Sequence, residues 1–337
     1  MNDDQSSKNK LIKFLKKVIP LIGIIIFIYL IIDIGPDKIS STFLEISPHV
    51  LILFAVIMVP RILLNNYMWQ LILKKQKIRI SFVKSLKILM IGHFYGHITP
   101  SRLGTYVKVF YLREETEEPI GKLFVNVFVK IALDLLALYL LMIITAFIIV
   151  EQYPEIFFAV LVYVSIVSFL FFYFIKKERG EKTINLLIKY FIPKKLKSYL
   201  SRFTDTFYKD FPITRYFIFP FVLSLFIQII FFIQMYIIAL SLGIEIPFHI
   251  FIVIYTIAGC IATIPISIAG LGTREATLVL LFTPFGIAAQ KVVVLSLAGY
   301  ILSVLLMAVP GLIIALLYAK NNNKLLKLKG LENIPKN

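Results

Sequence analysis

The chain has 337 residues, 59% of them hydrophobic, and its mean hydropathy of +0.88 stands well above soluble domains, which are about 45 to 50% apolar. Only helices and closed barrels satisfy their backbone in hydrocarbon, and the long Ile/Leu/Phe runs lack the dyad alternation of barrel strands, so the expected class is an all-α polytopic membrane protein. The formal charge of +17 is read by position as a topological marker, with no nucleic acid expected as partner, and Cys260, the single cysteine, excludes an intrachain disulfide.

In chain order, five lysines between Lys8 and Lys17 precede "VIPLIGIIIFIYLII". No small-residue cleavage site follows, only Asp33, Gly35 and Pro36, so the segment is expected to be a retained first helix over 14 to 34 rather than a signal peptide. Further runs long enough to span, at about 20 residues each, cover 48 to 73, 122 to 150, 156 to 175, 216 to 242 and 291 to 319. The apolar stretches 82 to 112 and 248 to 285 are broken by "HITPSRLGTYVKVF" and "PISIAGLGTREATLVL". Between the two halves lies a basic insertion, 176 to 215, expected to be cytoplasmic; its mixture of apolar residues and lysines fits an amphipathic segment on an anionic leaflet or a solvated linker helix.

Lys and Arg settle the expected orientation. Residues 8 to 17, 74 to 87, 176 to 215 and 320 to 336 hold 27 of the 36, whereas the loops on the other side hold only Lys38. Both termini are therefore expected in the cytoplasm. With six spans accounting for the crossings, each broken stretch has to leave the membrane on the side it entered. The first opens inside and the second outside, which makes them opposed re-entrant hairpins. Gly104 and Gly272 stand 168 residues apart, and the same offset carries 48 to 73 onto 216 to 241. The expectation is thus a single membrane domain, 1 to 337. It holds a first repeat half at 48 to 150 and an inverted second half at 216 to 319, the plan of many transporters.

The breaks carry the candidate functional residues. An ionisable group at membrane depth costs roughly 2.5 to 3.5 kcal/mol on insertion scales unless it lines a wet space or finds a partner. Arg102 and Arg274 stand at such points, where helix N-termini offer free N–H groups and arginine offers a fork for phosphate. Gly104, Gly270 and Gly272 permit close backbone approach, and Ser267, His97, Lys108 and Glu275 complete the expected substrate-binding set. Snorkelling, or structural pairing of the arginines with Glu275 and Glu114, is the alternative. His93 and His97 lie four apart without the glutamate of a metalloprotease motif, so neither a metal nor any other cofactor is expected. Lys130 and Asp134 are placed to neutralise each other across one turn, with a proton relay through Asp134 as the other use.

"ITPSRLGTYVKVFYL" and "PISIAGLGTREATLVLL", with "YMWQLIL" around Trp69 and "KIALDLLALYLL" around Asp134, resemble the flippase-like membrane domain of lysylphosphatidylglycerol synthases over roughly residues 14 to 320. That family usually has glycine where Ser101 and Ala269 stand and an acidic residue near Thr105. In the better-understood members of that family the domain moves an aminoacylated phospholipid between leaflets, and a separate soluble domain makes it. That synthase domain is missing from the sequence. The resemblance therefore implies lipid translocation in the cell membrane and leaves the lipid unnamed, with a phospholipid or polyprenyl phosphate as the expected partner. No catalytic residue is assigned on this reading. A membrane enzyme acting on a polyprenyl-phosphate carrier, with His93, His97 or Glu275 as base, and a scaffold for an envelope glycosyltransferase are the alternatives. Such a glycosyltransferase or a second copy of the chain stays open as a partner.

Overall fold

A computed structural model describes residues 23 to 100, 102 to 148, 150, 151, 154 to 175, 217 to 263 and 267 to 328. The basic insertion at 176 to 215, the start of the first expected span, Ser101 and Pro265 lie outside the described residues. The described residues are almost wholly helical, and no strand is found among them.

After α1 (Gly23–Ile34), Gly35 turns the chain at φ 97° and Pro36 opens a short helix, α2 (Pro36–Leu44). α3 (Pro48–Lys75) also begins on a proline, where the missing N–H costs nothing, and closes on Lys74 and Lys75 at the negative end of its dipole. Ser81 caps α4 (Phe82–His97) by accepting from Lys84 N–H at 3.4 Å. A 3-10 turn, Leu103–Val107, leads into α5 (Lys108–Thr116). The long α6 (Ile120–Ile148) and then α7 (Pro154–Ile175) follow.

Beyond the insertion come α8 (Ile218–Ser241), α9 (Phe248–Ile261) and α10 (Thr273–Phe282). The last pair, α11 (Ala289–Ser303) and α12 (Val309–Leu328), is joined through a π-helical turn at Val304–Ala308.

Among the described residues, four helical stretches are long and apolar enough to cross a membrane: Pro48–Lys75, Ile120–Ile148, Ile218–Ser241 and Ala289–Ala319. They coincide with four of the six spans expected from the sequence. α7, with 22 residues, falls where a fifth is expected. At 1.5 Å per residue, the sixteen residues of α4 and the fourteen of α9 reach only about 24 and 21 Å, short of a hydrocarbon core of about 30 Å. α2 was not anticipated, and it packs against α11.

The helices turn apolar side chains outward and bury a smaller set of polar groups, paired with one another, within a mostly apolar interior. Along α3, Ile52, Val56, Val59 and Leu63 are exposed, while Asn66 and Trp69 are fully buried. Trp69 Nε1 donates to Asn126 Oδ1 at 2.8 Å, and Asn126 Nδ2 donates to Gln76 Oε1 at 2.6 Å. Ser85 Oγ donates to Asn66 Oδ1 at 2.9 Å and receives Gln70 Nε2 at 2.7 Å. This network pins α3 to α4 and α6, so the first broken stretch rests on a fixed floor. The largest apolar cluster lies on the other side, where Phe54, Met58, Phe232, Phe251 and Phe282 interlock.

Contacts cross between the helices before and after the insertion: α3 packs on α8, α4 on α12 and α9 on α6. α6 also lies against α8, whereas α2 occupies a flank of α11.

Candidate functional site

The two broken stretches fold as tips that touch. Pro100 and Ile268 form an isolated antiparallel bridge, and they stand 168 residues apart, the same offset as Gly104 and Gly272. The first tip begins where α4 runs out at His97. Thr99 Oγ1 donates to Tyr95 carbonyl at 2.8 Å and accepts Gly104 N–H at 2.7 Å, so one hydroxyl closes both sides of the turn. A Cβ at Gly104 would strike the Tyr95 carbonyl and lie 2.7 Å from Thr99 Oγ1. Arg102 holds the left-handed position of this turn at φ 56°, and its offset partner, Gly270, is also left-handed at φ 82°.

The second tip is locked by an acid. Glu275 is completely buried, its Oε2 accepting Gly272 N–H at 2.7 Å at the start of α10. Its Oε1 accepts Ser296 Oγ at 2.7 Å, Arg274 Nε at 3.1 Å and Arg274 Nη2 at 2.6 Å. Arg274 Nε also reaches Ser296 Oγ at 2.8 Å. Its guanidinium carbon lies 5.4 Å from the centre of the Tyr300 ring, a cation–π distance. Ser267 is fully buried and shares a hydrogen bond of 2.9 Å with Thr273 Oγ1. Gly272, at φ 82°, has room for no side chain, since a Cβ would overlap the Gly23 carbonyl of α1.

Arg102 and Lys108 make no ion pair among the described residues. Arg102 is exposed and forms no hydrogen bond or ion pair among the described residues, yet it stands within electrostatic reach of Arg274 and Tyr300. Lys108 is 2% exposed. Its stem lies along Gly92, and its Nζ sits 5.0 Å over the Trp69 ring with no hydrogen bond or ion pair among the described residues. His93 lies in the field of Lys108, Lys130 and Arg102. His97 Nδ1 donates to His93 carbonyl at 2.7 Å, which leaves Nε2 as the free acceptor, and its ring packs 5.6 Å from Tyr300.

Lys130 and Asp134 pair across one turn as their spacing implies, and Ser224 Oγ of α8 donates to Asp134 Oδ1 at 2.9 Å. Both carboxylates of the region are therefore occupied. No group of three or more His, Cys, Asp or Glu placed to hold a metal ion occurs among the described residues.

Of the residues expected to bind substrate, Arg102, Arg274 and His97 come together around the tips, whereas Lys108 is buried apart from them against Gly92 and Trp69. Gly104, Gly270, Gly272 and Ser267 shape the turns, and Glu275 is fully engaged as cap and counter-ion. Sequence reasoning missed Ser296, Tyr300 and Tyr255. Ser296 and Tyr300 lie one turn apart on α11 and both face Arg274. Tyr255 is 6% exposed, and its hydroxyl has no hydrogen-bond partner among the described residues although it lies in the field of Arg274 and Glu275. Their only signal was polarity on otherwise apolar helices.

The sequence relationships cover the same ground. A relative, a UPF0104 membrane protein of Methanothermobacter thermautotrophicus, is 28% identical over 297 residues, which is 81% of this chain and 85% of that protein. The family model described as Lysylphosphatidylglycerol synthase TM region matches residues 18–311 and so takes in both tips, α3, α6, α8 and α11. The chain belongs to the lysylphosphatidylglycerol synthase TM region family.

Proposed function

We propose that this protein moves lipids with an anionic head group between the leaflets of the cell membrane, and that the head group passes between the two touching tips. The observation that carries this reading is Arg102. An exposed, unpaired guanidinium at a break between apolar helices is costly in hydrocarbon, and a passing phosphate is a counter-ion that matches its fork. Lys108 adds a second basic group to the same hairpin, buried with its Nζ over the Trp69 ring.

The topology that fits is six spans with two re-entrant hairpins, α4–α5 entering from the cytoplasm and α9–α10 from outside, and both termini inside. Three observations support it: the limbs are too short to cross, the packing is crosswise, and Pro100 meets Ile268. A two-fold axis lying in the membrane runs equivalent segments antiparallel and brings a residue at the axis against its own equivalent. Pro100 and Ile268 are such equivalents under the 168-residue offset. On this plan the two halves rock about the tips and open the site to either leaflet.

The test is reconstitution into liposomes with fluorescent phospholipids and polyprenyl phosphates, reading loss of the protected inner-leaflet signal. Wild-type protein is expected to accelerate the loss for anionic lipids over empty vesicles, and Arg102→Gln to slow it at unchanged folding. Equal rates with and without protein for every lipid would overturn the proposal. Topology is tested separately by labelling single cysteines, with position 245 accessible from outside and position 195 not.

A further inference from the structure

Resting on the topology just given, we infer that Arg61, in the middle of α3, is a second site for a phosphate group, separate from the tips and level with them. Arg61 makes no hydrogen bond or ion pair among the described residues, and its guanidinium carbon lies 5.1 Å from the centre of the Phe231 ring of α8. It follows Pro60, which has no N–H to give the Val56 carbonyl. One turn on, Asn65 Oδ1 is buried without a hydrogen-bond partner among the described residues.

The packing opens a cleft at this level. On the inward stripe of α3, Phe54, Met58, Met68 and Ile72 are at most 1% exposed. Arg61 and Asn65 stand between them on the same stripe, yet they are only half-buried. α8 shows the same interruption, with Gln228 and Phe231 half-buried between the closed positions Ser224 and Met235. Two facing stripes that both keep surface free at one level leave room for a group between them. An unpaired cation inside a span, turned to such a space, marks a path for a substrate or an ion.

Depth narrows what that group is. Arg61 is central in the 28 residues of α3, about 20 Å from either end. Phe231 and Gln234, which donates to the Phe54 carbonyl at 2.8 Å, are the counterparts of Leu63 and Asn66 under the 168-residue offset. α3 thus crosses its own counterpart beside Arg61, as Pro100 meets Ile268. An axis lying in the membrane has one depth, so the cleft and the tips share it. A lipid at rest keeps its phosphate outside a hydrocarbon core of about 30 Å, roughly 15 Å from the midplane. A phosphate at Arg61 has therefore left its leaflet, on a lipid in transit or as free phosphate. The fork of arginine fits two phosphate oxygens, and the Asn65 amide, turned over, adds an N–H donor. The offset sets Ile229 against Arg61 and Ile233 against Asn65, so the site has no twin in the other half.

The experiment follows the thermal midpoint of the full chain in mild detergent, with Arg102→Gln as the starting protein so that Arg102 at the tips contributes no binding. The probes are dihexanoyl-phosphatidylglycerol, dihexanoylglycerol, inorganic phosphate, and sodium chloride at matched ionic strength. At about ten times its half-saturating concentration, a phosphate probe is expected to raise the midpoint by about 3 °C or more. Dihexanoylglycerol and chloride are expected to leave it unchanged, and the phosphate probe effective at the lower concentration names the source. Adding Arg61→Met is expected to erase the rise without lowering the probe-free midpoint, because an uncompensated charge is removed. Arg61→Lys keeps the charge but loses the fork, and is expected to raise the half-saturating concentration about threefold or more.

A rise that survives Arg61→Met, or one matched by chloride or dihexanoylglycerol, would overturn the inference. So would the absence of a rise with both phosphate probes, or a probe-free midpoint that falls by several degrees in Arg61→Met, which would give Arg61 a structural partner instead. These readings need no lipid movement. Liposomes in which no lipid moves faster than without protein would remove the translocation reading, while a rise that depends on Arg61 would keep this site as a phosphate site.

Discussion

Replacing Glu275 by glutamine removes the charge of the carboxylate paired with Arg274 and leaves the volume nearly unchanged. Four hydrogen bonds converge on that carboxylate, from the Gly272 amide, Ser296 Oγ and two nitrogens of Arg274. Breaking a buried ion pair by removing one partner costs about 3 to 5 kcal/mol. The Arg274 side chain is 15% exposed and glutamine keeps one acceptor oxygen, so the lower end, about 3 kcal/mol, is expected. At about 2 to 4 °C per kcal/mol, that amounts to a fall on the order of 10 °C in the thermal midpoint.

The assay is the fraction of monodisperse protein remaining after heating in mild detergent. The double variant Arg274→Gln with Glu275→Gln is expected to recover at least about half of the loss, because neither charge is then stranded. A midpoint for Glu275→Gln within about 1 °C of wild type would refute the assignment of Glu275 as a lock. So would a double variant whose loss is the sum of the two single losses.

Ala269 is buried at φ 52°, a region that strains a side chain. Ala269→Gly is therefore expected to stabilise by about 0.5 to 1 kcal/mol in the same assay, strain relief exceeding the added freedom of the unfolded chain. Gly272→Ala is expected to cost at least about 2 kcal/mol, through both its left-handed backbone and overlap with the Gly23 carbonyl, and reads out as lost monodisperse protein. Glu115 joins the first hairpin to the last helix, 2.6 Å from Lys84 Nζ and accepting the Tyr318 hydroxyl at 2.5 Å. Burial acts to raise its pKa, but the bonds from Lys84 and Tyr318 prevail and hold it below the ordinary 4.5. A depressed carboxylate stabilises above that ordinary value and loses its contribution as pH falls through the lowered one. Wild type should thus lose more stability than Glu115→Gln when thermal midpoints are compared at pH 7 and pH 3.

The long helices could be read directly because hydrocarbon thickness sets a length that a run of Ile, Leu and Phe either reaches or does not. The offset between Gly104 and Gly272 likewise pointed to two related breaks, and the Pro100–Ile268 bridge joins residues at that same offset. What stayed hidden depends on contacts distant in the chain. The sequence sets Arg274 beside Glu275, but only the fold brings Ser296 and Tyr300 onto the same guanidinium. Lys108 was expected in the substrate-binding set, and only the fold shows that Gly92 and Trp69 house its stem and ammonium. α2 escaped notice because its nine residues carry too few apolar positions to stand out between two long runs.

The central claim is that head groups pass between the two tips, and a reversible cross-link tests it most directly. In a background of Cys260→Ala, Pro100→Cys and Ile268→Cys place two thiols at bridge positions. Antiparallel partners lie about 4.5 to 5.5 Å apart at Cα, within reach of a disulfide. The account predicts that mild oxidation forms the bond, that lipid movement in liposomes falls to the empty-vesicle rate, and that reduction restores it. Full transport with the tips held together would contradict it, as would two cysteines that never join.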